Sequence, residues 1–251
     1  MKLEPVLFFG DVHRPFHDEK AWKLLLKVGR ALKPKHLVCI GDYMDCYSVS
    51  SHDKDPSRVA LLKEEVADAK KGLDQLDALG ASNKIWLSGN HEYRLDRAIA
   101  SKAPELFGLV TIPELLGLKE RGWSYTPYRQ ATRLGKLYLT HDVGASGRTS
   151  SFRALDAFSH SVVTGHAHRL QMIVEGSAVG DQRVSVQFGW LGDPDKIDYL
   201  ARFKVLRDWA TGFGVGHLNP STGACYLTPV AVIRVGKKHT CVVNGRYYEV
   251  A

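Results

Sequence analysis

The chain has 251 residues, of which 44% are hydrophobic and 24% charged, as in an ordinary globular protein. No apolar run approaches the ~18 residues of a membrane span or resembles a signal-peptide core, so we expect a soluble, unexported protein without a membrane partner. The net charge is +7, and the four cysteines form no Cys-x-x-Cys pair. This cysteine pattern favours reduced thiols and a cytoplasmic location over a disulfide framework or a zinc knuckle.

Short apolar strands alternate with helical patterns in the first half of the chain, which is typical of an α/β fold. Buried strands are predicted over residues 5–10, 36–40 and 85–87. Helices are predicted over residues 18–32 and 57–79, and Gly80 is placed to end the second one.

The second half is rich in strand patterns separated by turn residues. Strands are predicted over residues 124–128, 136–140, 162–164, 172–175, 183–188, 213–218, 225–235, 240–243 and 247–250. The last two strands, joined by Asn244-Gly245, are predicted to form a hairpin. The glycine-rich segment 212–216 lacks the strand-then-helix context of a nucleotide loop, so we interpret it as a strand or bulge. No linker or repeat divides the chain, and we expect a single domain over residues 1–251.

Five short polar motifs each follow one of the predicted strands closely. They are Gly10-Asp11-Val12-His13, Gly41-Asp42-Tyr43-Met44-Asp45, Gly89-Asn90-His91-Glu92, Thr140-His141 and Gly165-His166-Ala167-His168. Open α/β sheets build their sites where strands end, and carboxylate, imidazole and amide groups are ligands for Mn, Fe, Zn or similar ions. Because residues two apart in an extended chain point to the same side, Asp11 and His13 can converge on one centre, as can His166 and His168.

In this order, Asp-x-His, Gly-Asp-x-x-Asp, Gly-Asn-His-Glu, a lone His and Gly-His-x-His resemble the calcineurin-like metallophosphoesterase superfamily. The ordered set covers residues 10–168, and five motifs that each follow a predicted strand make coincidence improbable. The resemblance implies a two-sheet α/β sandwich in four αββα layers, with the β-rich C-terminal part completing the second sheet. It also implies two divalent metal ions, with Mn favoured and Fe, Zn, Ni or Co as alternatives.

The resemblance also implies the metal ligands. One ion would be held by Asp11, His13, Asp42 and His168. The other would be held by Asp42, Asn90, His141 and His166, so that Asp42 would bridge the two. A hydroxide shared by the ions would be the nucleophile, because metal coordination lowers the pKa of water from ~15.7 towards ~7, and no covalent phospho-enzyme is expected.

His91 and Asp45 are the catalytic candidates that the resemblance implies. In the family, the histidine beside the ligand asparagine contacts the phosphate and supports the leaving oxygen, so His91 is the general-acid candidate. Asp45 resembles the residue that pairs with this histidine and raises its basicity, and a loop-capping role is the alternative. Glu92 also begins a helix, where an acidic side chain interacts favourably with the helix dipole.

Substrate contacts are predicted for Arg94 and His52. Arg94 and Arg97 could grip a phosphate bidentately, and pairing with acids on a helix face is an equal alternative. His52 lies in the polar loop after Asp45, which a substrate could pass, and a loop without substrate contact is the alternative.

Two departures from the family pattern bear on the substrate. Cys46 stands where the protein phosphatases have an arginine, which argues against a phosphoserine or phosphothreonine substrate. Asp142 replaces a frequent glycine after His141 and could orient that histidine or adjust the local charge. Residues 201–251 carry seven basic and two acidic residues, which could guide nucleic acid, and a solvated surface without a partner explains them equally well.

We therefore predict a metal-dependent phosphodiesterase or nuclease-like phosphoesterase that acts on DNA, RNA or a nucleotide. The alternative enzyme is a phosphomonoesterase, including a protein Ser/Thr phosphatase. A binding or scaffold module that keeps the metal site is a third hypothesis. The presence of His91, which binding alone does not require, argues against the scaffold.

Overall fold

The computed structural model describes residues 2–51, 61–176, 178, 180, 182–196 and 208–251. The strands are β1 (Glu4–Phe9), β2 (His36–Cys39), β3 (Asn83–Leu87), β4 (Trp123–Thr126), β5 (Thr132–Leu134), β6 (Leu137–Leu139), β7 (Val162–Thr164), β8 (Leu170–Gly176), β9 (Gln182–Phe188), β10 (Gly212–Leu218), β11 (Cys225–Ala231), β12 (Ile233–Val235), β13 (Lys238–Val243) and β14 (Arg246–Val250). The helices are α1 (Glu19–Leu32), α2 (Leu62–Asp77), α3 (Tyr93–Lys102), α4 (Ile112–Leu116) and α5 (Ser150–Phe158).

Three of the predictions involve residues outside the described ranges. These are the substrate candidate His52, the start of the second helix at residue 57, and the part of the basic C-terminal region over residues 201–207. Within the described ranges, no helix combines the length and the apolar character needed to cross a membrane.

A six-stranded sheet and a five-stranded sheet pack face to face. The first has the order β11-β10-β1-β2-β3-β4, with β1 to β4 parallel, and the second has the order β5-β6-β7-β9-β8. Parallel strands require crossover connections, so helices cover the outer faces of such sheets. Helices α1 and α2 pack on the first sheet and α5 packs on the second. The predicted four-layer αββα sandwich is confirmed.

Alternate residues of β1 enter two different hydrophobic cores. Leu7 and Phe9 pack beneath the helices, whereas Val6 and Phe8 lie between the two sheets. The Phe8 ring stacks on Phe188 of the second sheet at 5.0 Å between centroids. A strand buried on both faces has a continuous apolar sequence, which is the pattern of residues 5–10.

The C-terminal strands β10 and β11 extend the first sheet, so the prediction that the β-rich C-terminal part completes the second sheet was wrong for these strands. β10 pairs antiparallel with β1, and β11 pairs with β10. The second sheet is instead completed by β8 and β9. The predicted strand, rather than a nucleotide loop, is confirmed for residues 212–216.

The glycines of β10 explain why this strand lies in the interior of the sandwich. Gly212, Gly214 and Gly216 alternate along the strand, and a Cβ atom on Gly214 would lie 2.5 Å from the Phe188 ring. The glycine face of β10 therefore leaves space for Phe188 to pack directly against the backbone. The pattern of apolar residues alone does not predict that Phe188, from the other sheet, packs against these glycines.

A third sheet, β12-β13-β14, packs on α1. The predicted strand over residues 225–235 is divided at Val232, whose N–H donates to Thr211 while the chain leaves the first sheet. The predicted hairpin is confirmed, because Asn244 and Gly245 form a two-residue loop and both have positive φ, as such a tight hairpin turn requires.

Asp18 joins α1 to this third sheet. Its Oδ1 atom accepts the backbone N–H groups of Lys20 and Ala21 and so caps the helix. Its Oδ2 atom lies 3.0 Å from Nη2 of Arg234 and 2.9 Å from Nε2 of His239. Burial acts to raise the pKa of Asp18, but the hydrogen bonds from Ala21 and His239 and the neighbouring positive charges lower it below its usual value.

Candidate metal centre

The five motifs meet at one edge of the sandwich, where β1, β2, β3, β6 and β7 end. Hydrogen bonds join the loops that follow these strands. The N–H groups of Asp11 and His13 donate to the carbonyls of Gly41 and Asp42, and the N–H of Gly165 donates to His141. These loops fix the backbone of each motif before any ion binds.

Positive φ angles occur at five of the seven predicted ligands. They are Asp11 (48°), His13 (55°), Asp42 (49°), His166 (65°) and His168 (55°). Asp11 and His13 share one group of ligands, as expected, but the expected cause was wrong, because left-handed turns at the strand ends, rather than extended backbone, aim these side chains. His166 and His168 accordingly point into different groups of ligands.

The glycine before Asn90 allows the loops to approach closely. A Cβ atom on Gly89 would lie 2.0 Å from Oδ1 of Asp42. Gly41 has a φ of 95°, and a Cβ atom on this residue would lie 2.5 Å from Nδ1 of His141. Any side chain at either position would displace a predicted ligand.

The first group of potential ligands contains Asp11, His13, Asp42 and His168, all buried, with donor atoms within 4.8 Å of one another. Nε2 of His13 lies 3.1 Å from Nε2 of His168, which is in turn 3.3 Å from Oδ1 of Asp11. Lone pairs this close repel one another unless a proton or a cation lies among them. The donor set fits a divalent cation bound by nitrogen and oxygen.

The second group contains Asp42, His141 and His166, and Asn90 adjoins it. Oδ1 of Asn90 lies 2.8 Å from Nδ1 of His166 and 3.1 Å from Nε2 of His141. Nδ1 of His141 donates to the Ile40 carbonyl at 2.7 Å, which turns Nε2 towards the oxygens of Asn90 and Asp42. Metal-binding histidines are commonly oriented by such a second hydrogen bond.

With Asn90 beside the second group, these two groups correspond to the two sets of residues that were predicted to hold one ion each, and Asp42 belongs to both. In the metal-free chain, burial opposes ionisation of Asp42, but the charges of His141 and His91 lower its pKa well below the usual value. Burial and the His91 charge lower the pKa of His13 to about 4. The carboxylate is therefore negative and the His13 imidazole neutral near pH 7, which are the forms that bind cations.

Asp45 contacts both a predicted ligand and the predicted general acid. Its Oδ2 atom lies 3.2 Å from Nδ1 of His91 and 3.3 Å from Nδ1 of His13. Burial acts to raise the pKa of Asp45, but these two histidines lower it below its usual value. For His91, burial acts to lower the pKa, and the charges of Asp42 and Asp45 outweigh it and raise the value.

Arg94 reaches the same group from helix α3. Its Nη1 atom donates to the carbonyl and to Oδ1 of Asp45, at 2.8 Å and 3.1 Å. Its Nη2 atom lies 3.1 Å from Nε2 of His91. The structure therefore brings Arg94 to the site, with its guanidinium beside the atom of His91 that would serve as the acid.

Glu92 has a positioning role that the sequence analysis missed. It immediately precedes α3, as predicted, but its buried carboxylate accepts the backbone N–H groups of Asp42, Met44 and Gly89, at 3.0, 2.8 and 2.8 Å. These bonds tie the second and third motifs together. The residues of the third motif gave no sign of these acceptor contacts, because two of the three donors lie 50 and 48 positions away in the sequence.

Two tryptophans enclose His168, a second feature that the sequence analysis missed. The imidazole stacks on Trp190 with centroids 5.1 Å apart and an interplanar angle of 11°, and Trp209 contacts its edge at 4.1 Å. The rings hold the imidazole plane while Nε2 faces Asp11.

A cavity of about 340 Å³ adjoins the second group. It is lined by Ser51, Asn90, Tyr93, Arg94, Arg97, Tyr128 and Arg129. Asp142 lies behind it and accepts a 2.7 Å hydrogen bond from the Tyr128 hydroxyl. Of the two roles expected for Asp142, orientation of His141 is therefore not observed, since the Ile40 carbonyl orients this histidine.

A family model described as calcineurin-like phosphoesterase matches residues 4–218. The Gene 54 protein of Mycobacterium phage D29 is 25% identical over 269 residues, covering 98% of each chain.

Similar solved structures include Vps29 of Cryptosporidium parvum, with 16% identity, a TM-score of 0.48 and coverage of 99% of this chain and 96% of that one. They also include YfcE, a phosphoesterase from E. coli, with 16% identity, a TM-score of 0.42 and coverage of 90% and 92%. The family match spans all five motifs and both sheets up to the end of β10. The chain belongs to the calcineurin-like phosphoesterase family.

Proposed function

We propose that the protein is a metal-dependent phosphodiesterase that uses two divalent ions, with Mn²⁺ favoured, to hydrolyse a nucleic acid or nucleotide. The observation that carries this proposal is the pair of ligand groups that share Asp42, beside His91. When bound, the ions would polarise the phosphoryl oxygens and acidify the attacking water.

The residues around His91 supply the proton transfer in this proposal. Asp45 holds Nδ1 of His91, which leaves Nε2 to donate a proton to the leaving oxygen as its bond to phosphorus breaks. Arg94, beside Nε2, offers a guanidinium for an oxygen of the phosphate. Asp45 stays ionised and stabilises the imidazolium form of His91.

The support for a diester differs from the support that the sequence offered. Cys46, which stands where the protein phosphatases have an arginine, is buried. Arg94 provides a guanidinium at the site, so the absence of that arginine does not distinguish a diester substrate from a monoester. The cavity beyond Asn90 and Arg94 has room for a substituent that a diester has and a monoester lacks. A phosphomonoesterase remains the second candidate, because Arg94 could equally bind a terminal phosphoryl oxygen.

The basic C-terminal region supports the nucleic acid proposal less than its composition suggests. Arg234 pairs with Asp18 and Lys238 pairs with Glu249, so two of its cations are neutralised within the chain.

We also propose a cytoplasmic location, and its support is that all four cysteines are free thiols.

The test compares bis(p-nitrophenyl) phosphate with p-nitrophenyl phosphate, with Mn²⁺ and then each alternative metal. We expect a higher kcat/KM for the diester, and a higher value for the monoester would establish the second candidate. Calorimetric titration should give two ions per chain, fewer in Asp42→Asn, and an unaltered number in His160→Asn, whose exposed imidazole lies outside the site. Metal binding without hydrolysis of either ester would establish a scaffold instead.

A further inference from the structure

The cavity beside the metal centre is lined by several positively charged side chains. Three guanidinium groups line it, from Arg94, Arg97 and Arg129. Arg94 pairs with Asp45, whereas no carboxylate among the described residues pairs with Arg97 or Arg129. Arginine groups held together without acidic partners attract anions, and phosphates in particular.

An aromatic wall lies next to these cations. The rings of Tyr93 and Tyr128 lie 5.2 Å apart between centroids, and the Tyr128 hydroxyl is anchored on Asp142. Cζ of Arg129 lies 5.4 Å from the centroid of the Tyr128 ring. The backbone of Arg129 has a φ of 65°, a conformation that costs free energy and aims its side chain along this wall.

The cavity is continuous with the metal centre through two residues. Oδ1 of Asn90 contacts His141 and His166, and Nη2 of Arg94 contacts His91, yet both Asn90 and Arg94 line the cavity. A phosphodiester bound at the centre would therefore direct one of its two substituents into the cavity. Arg97 and Arg129 would then meet the next anionic group along that substituent.

We propose that this cavity binds the nucleotide that adjoins the scissile phosphodiester of a single-stranded polynucleotide. Arg97 and Arg129 hold the phosphate of that nucleotide, and the Tyr93–Tyr128 wall packs against its base. The proposal rests on the proposed phosphodiesterase function for the reacting bond, and it adds the substrate class.

The shape and chemistry of the cavity favour a single strand over other phosphate-bearing polymers. The cavity volume of about 340 Å³ lies at the lower end of the range typical of small-ligand sites. This volume suits one nucleotide rather than a duplex. Bases in a duplex are stacked inside the helix, whereas single-stranded bases are free to stack on aromatic rings. A phosphopeptide could use the arginines but offers no base to the tyrosines.

Binding can be tested without catalysis, on the intact metal-free chain in EDTA. The probe is a fluorescein-labelled single-stranded oligothymidylate, and the readout is fluorescence anisotropy over a series of salt concentrations. We expect Arg97→Ala/Arg129→Ala to weaken binding about tenfold or more. The slope of log K against log salt should fall by about 0.7 for each phosphate that the variant no longer neutralises. Tyr93→Leu should weaken binding about fivefold or more, because the base then has one ring fewer to stack on.

The matched control is Arg153→Ala, which removes an exposed arginine from α5 and should leave the affinity and the salt slope unaltered. Far-UV circular dichroism and the Tm of each variant confirm folding. If the double arginine variant binds the probe as tightly as the wild type, the proposal is overturned. Equal or tighter binding of a duplex or a phosphopeptide in competition also overturns it.

A second experiment uses hydrolysis by the metal-loaded enzyme. The double arginine variant should lose at least tenfold more kcat/KM on the oligothymidylate than on bis(p-nitrophenyl) phosphate, chiefly through KM. Equal losses on the two substrates would contradict the proposed subsite while leaving the phosphodiesterase function intact. By contrast, a wild-type enzyme that hydrolyses neither substrate contradicts the phosphodiesterase function, and the anisotropy result still decides whether the cavity binds single strands.

Discussion

Oδ2 of Asp45 lies 3.2 Å from Nδ1 of His91. The same oxygen is 3.3 Å from Nδ1 of His13, so one carboxylate orients the proposed acid and a proposed metal ligand together. Proton transfer and metal binding should therefore respond jointly to a change at this residue.

Asp45→Asn should lower both kcat and metal affinity. The amide removes the negative charge that stabilises both imidazoles, and loss of such a supporting partner typically costs about 10- to 100-fold in either quantity. Steady-state kinetics on bis(p-nitrophenyl) phosphate and chelator competition measure the two effects. Asp96→Asn, on the neighbouring helix α3, is the control and should change neither. Wild-type kinetics and affinity in Asp45→Asn would favour the loop-capping role.

His91→Asn should have an effect that depends on the leaving group. A nucleoside oxygen needs a proton as it leaves, and general-acid catalysis is typically worth about 10²- to 10⁴-fold. The p-nitrophenolate ion leaves readily without a proton, so bis(p-nitrophenyl) phosphate should be affected much less. Comparison of kcat for this ester and for a dinucleotide measures the difference. Equal losses on both substrates would assign His91 to phosphate binding rather than to proton donation.

Asp18→Asn should destabilise the protein by about 1–2 kcal/mol at pH 7, because the amide can still cap α1 but cannot form the charged bonds to Arg234 and His239. The pKa of Asp18 is lowered in the folded chain. The stabilisation is therefore present above the unfolded value of about 4 and is lost as the pH falls through the folded pKa.

Urea unfolding of the metal-free protein between pH 7 and pH 3 measures this effect. The difference between wild type and Asp18→Asn should be constant near neutral pH and shrink in acid. A difference that grows as the pH falls would show that the charge of Asp18 does not stabilise the fold.

Gly214→Ala should destabilise the sandwich by about 1–3 kcal/mol, since the new methyl group would overlap the Phe188 ring between the sheets. Gly176→Ala is a matched control in β8, where no atom of the described residues lies within 4 Å of the new Cβ position. This control should be neutral or slightly stabilising. Similar losses in the two variants would mean that strand propensity, rather than the contact with Phe188, sets the cost.

The strands and the clustering of the seven predicted ligands could be predicted because both depend on short segments. Buried parallel strands have continuous apolar sequences, and each motif directly follows one. The position of β10 could not be predicted, because it depends on Phe188 covering Gly214 from another sheet. The same reason applies to the acceptor role of Glu92, whose donors lie on two separate loops.

The cavity beside the metal centre shows the same limit. Tyr93, Arg97 and Arg129 come from two segments, and their convergence follows from the positions of α3 and the chain after β4. Arg94, by contrast, could be proposed as a substrate residue because it directly follows the third motif. Its contact with His91 joins residues only three positions apart in the sequence. The organisation of residues 1–251 as one domain stays a prediction.

Thermal stability and metal binding favour different residues at five positions with a left-handed backbone, which are Asp11, His13, Asp42, His166 and His168. Each of these residues occupies a conformation that glycine adopts at much lower cost. Selecting metal-free variants for heat resistance should therefore enrich glycine at these positions first, and every such gain would remove a donor atom from the ion sites. The metal-free protein is therefore less stable than it would be with glycine at these positions, but it keeps the side chains that are proposed to bind cations.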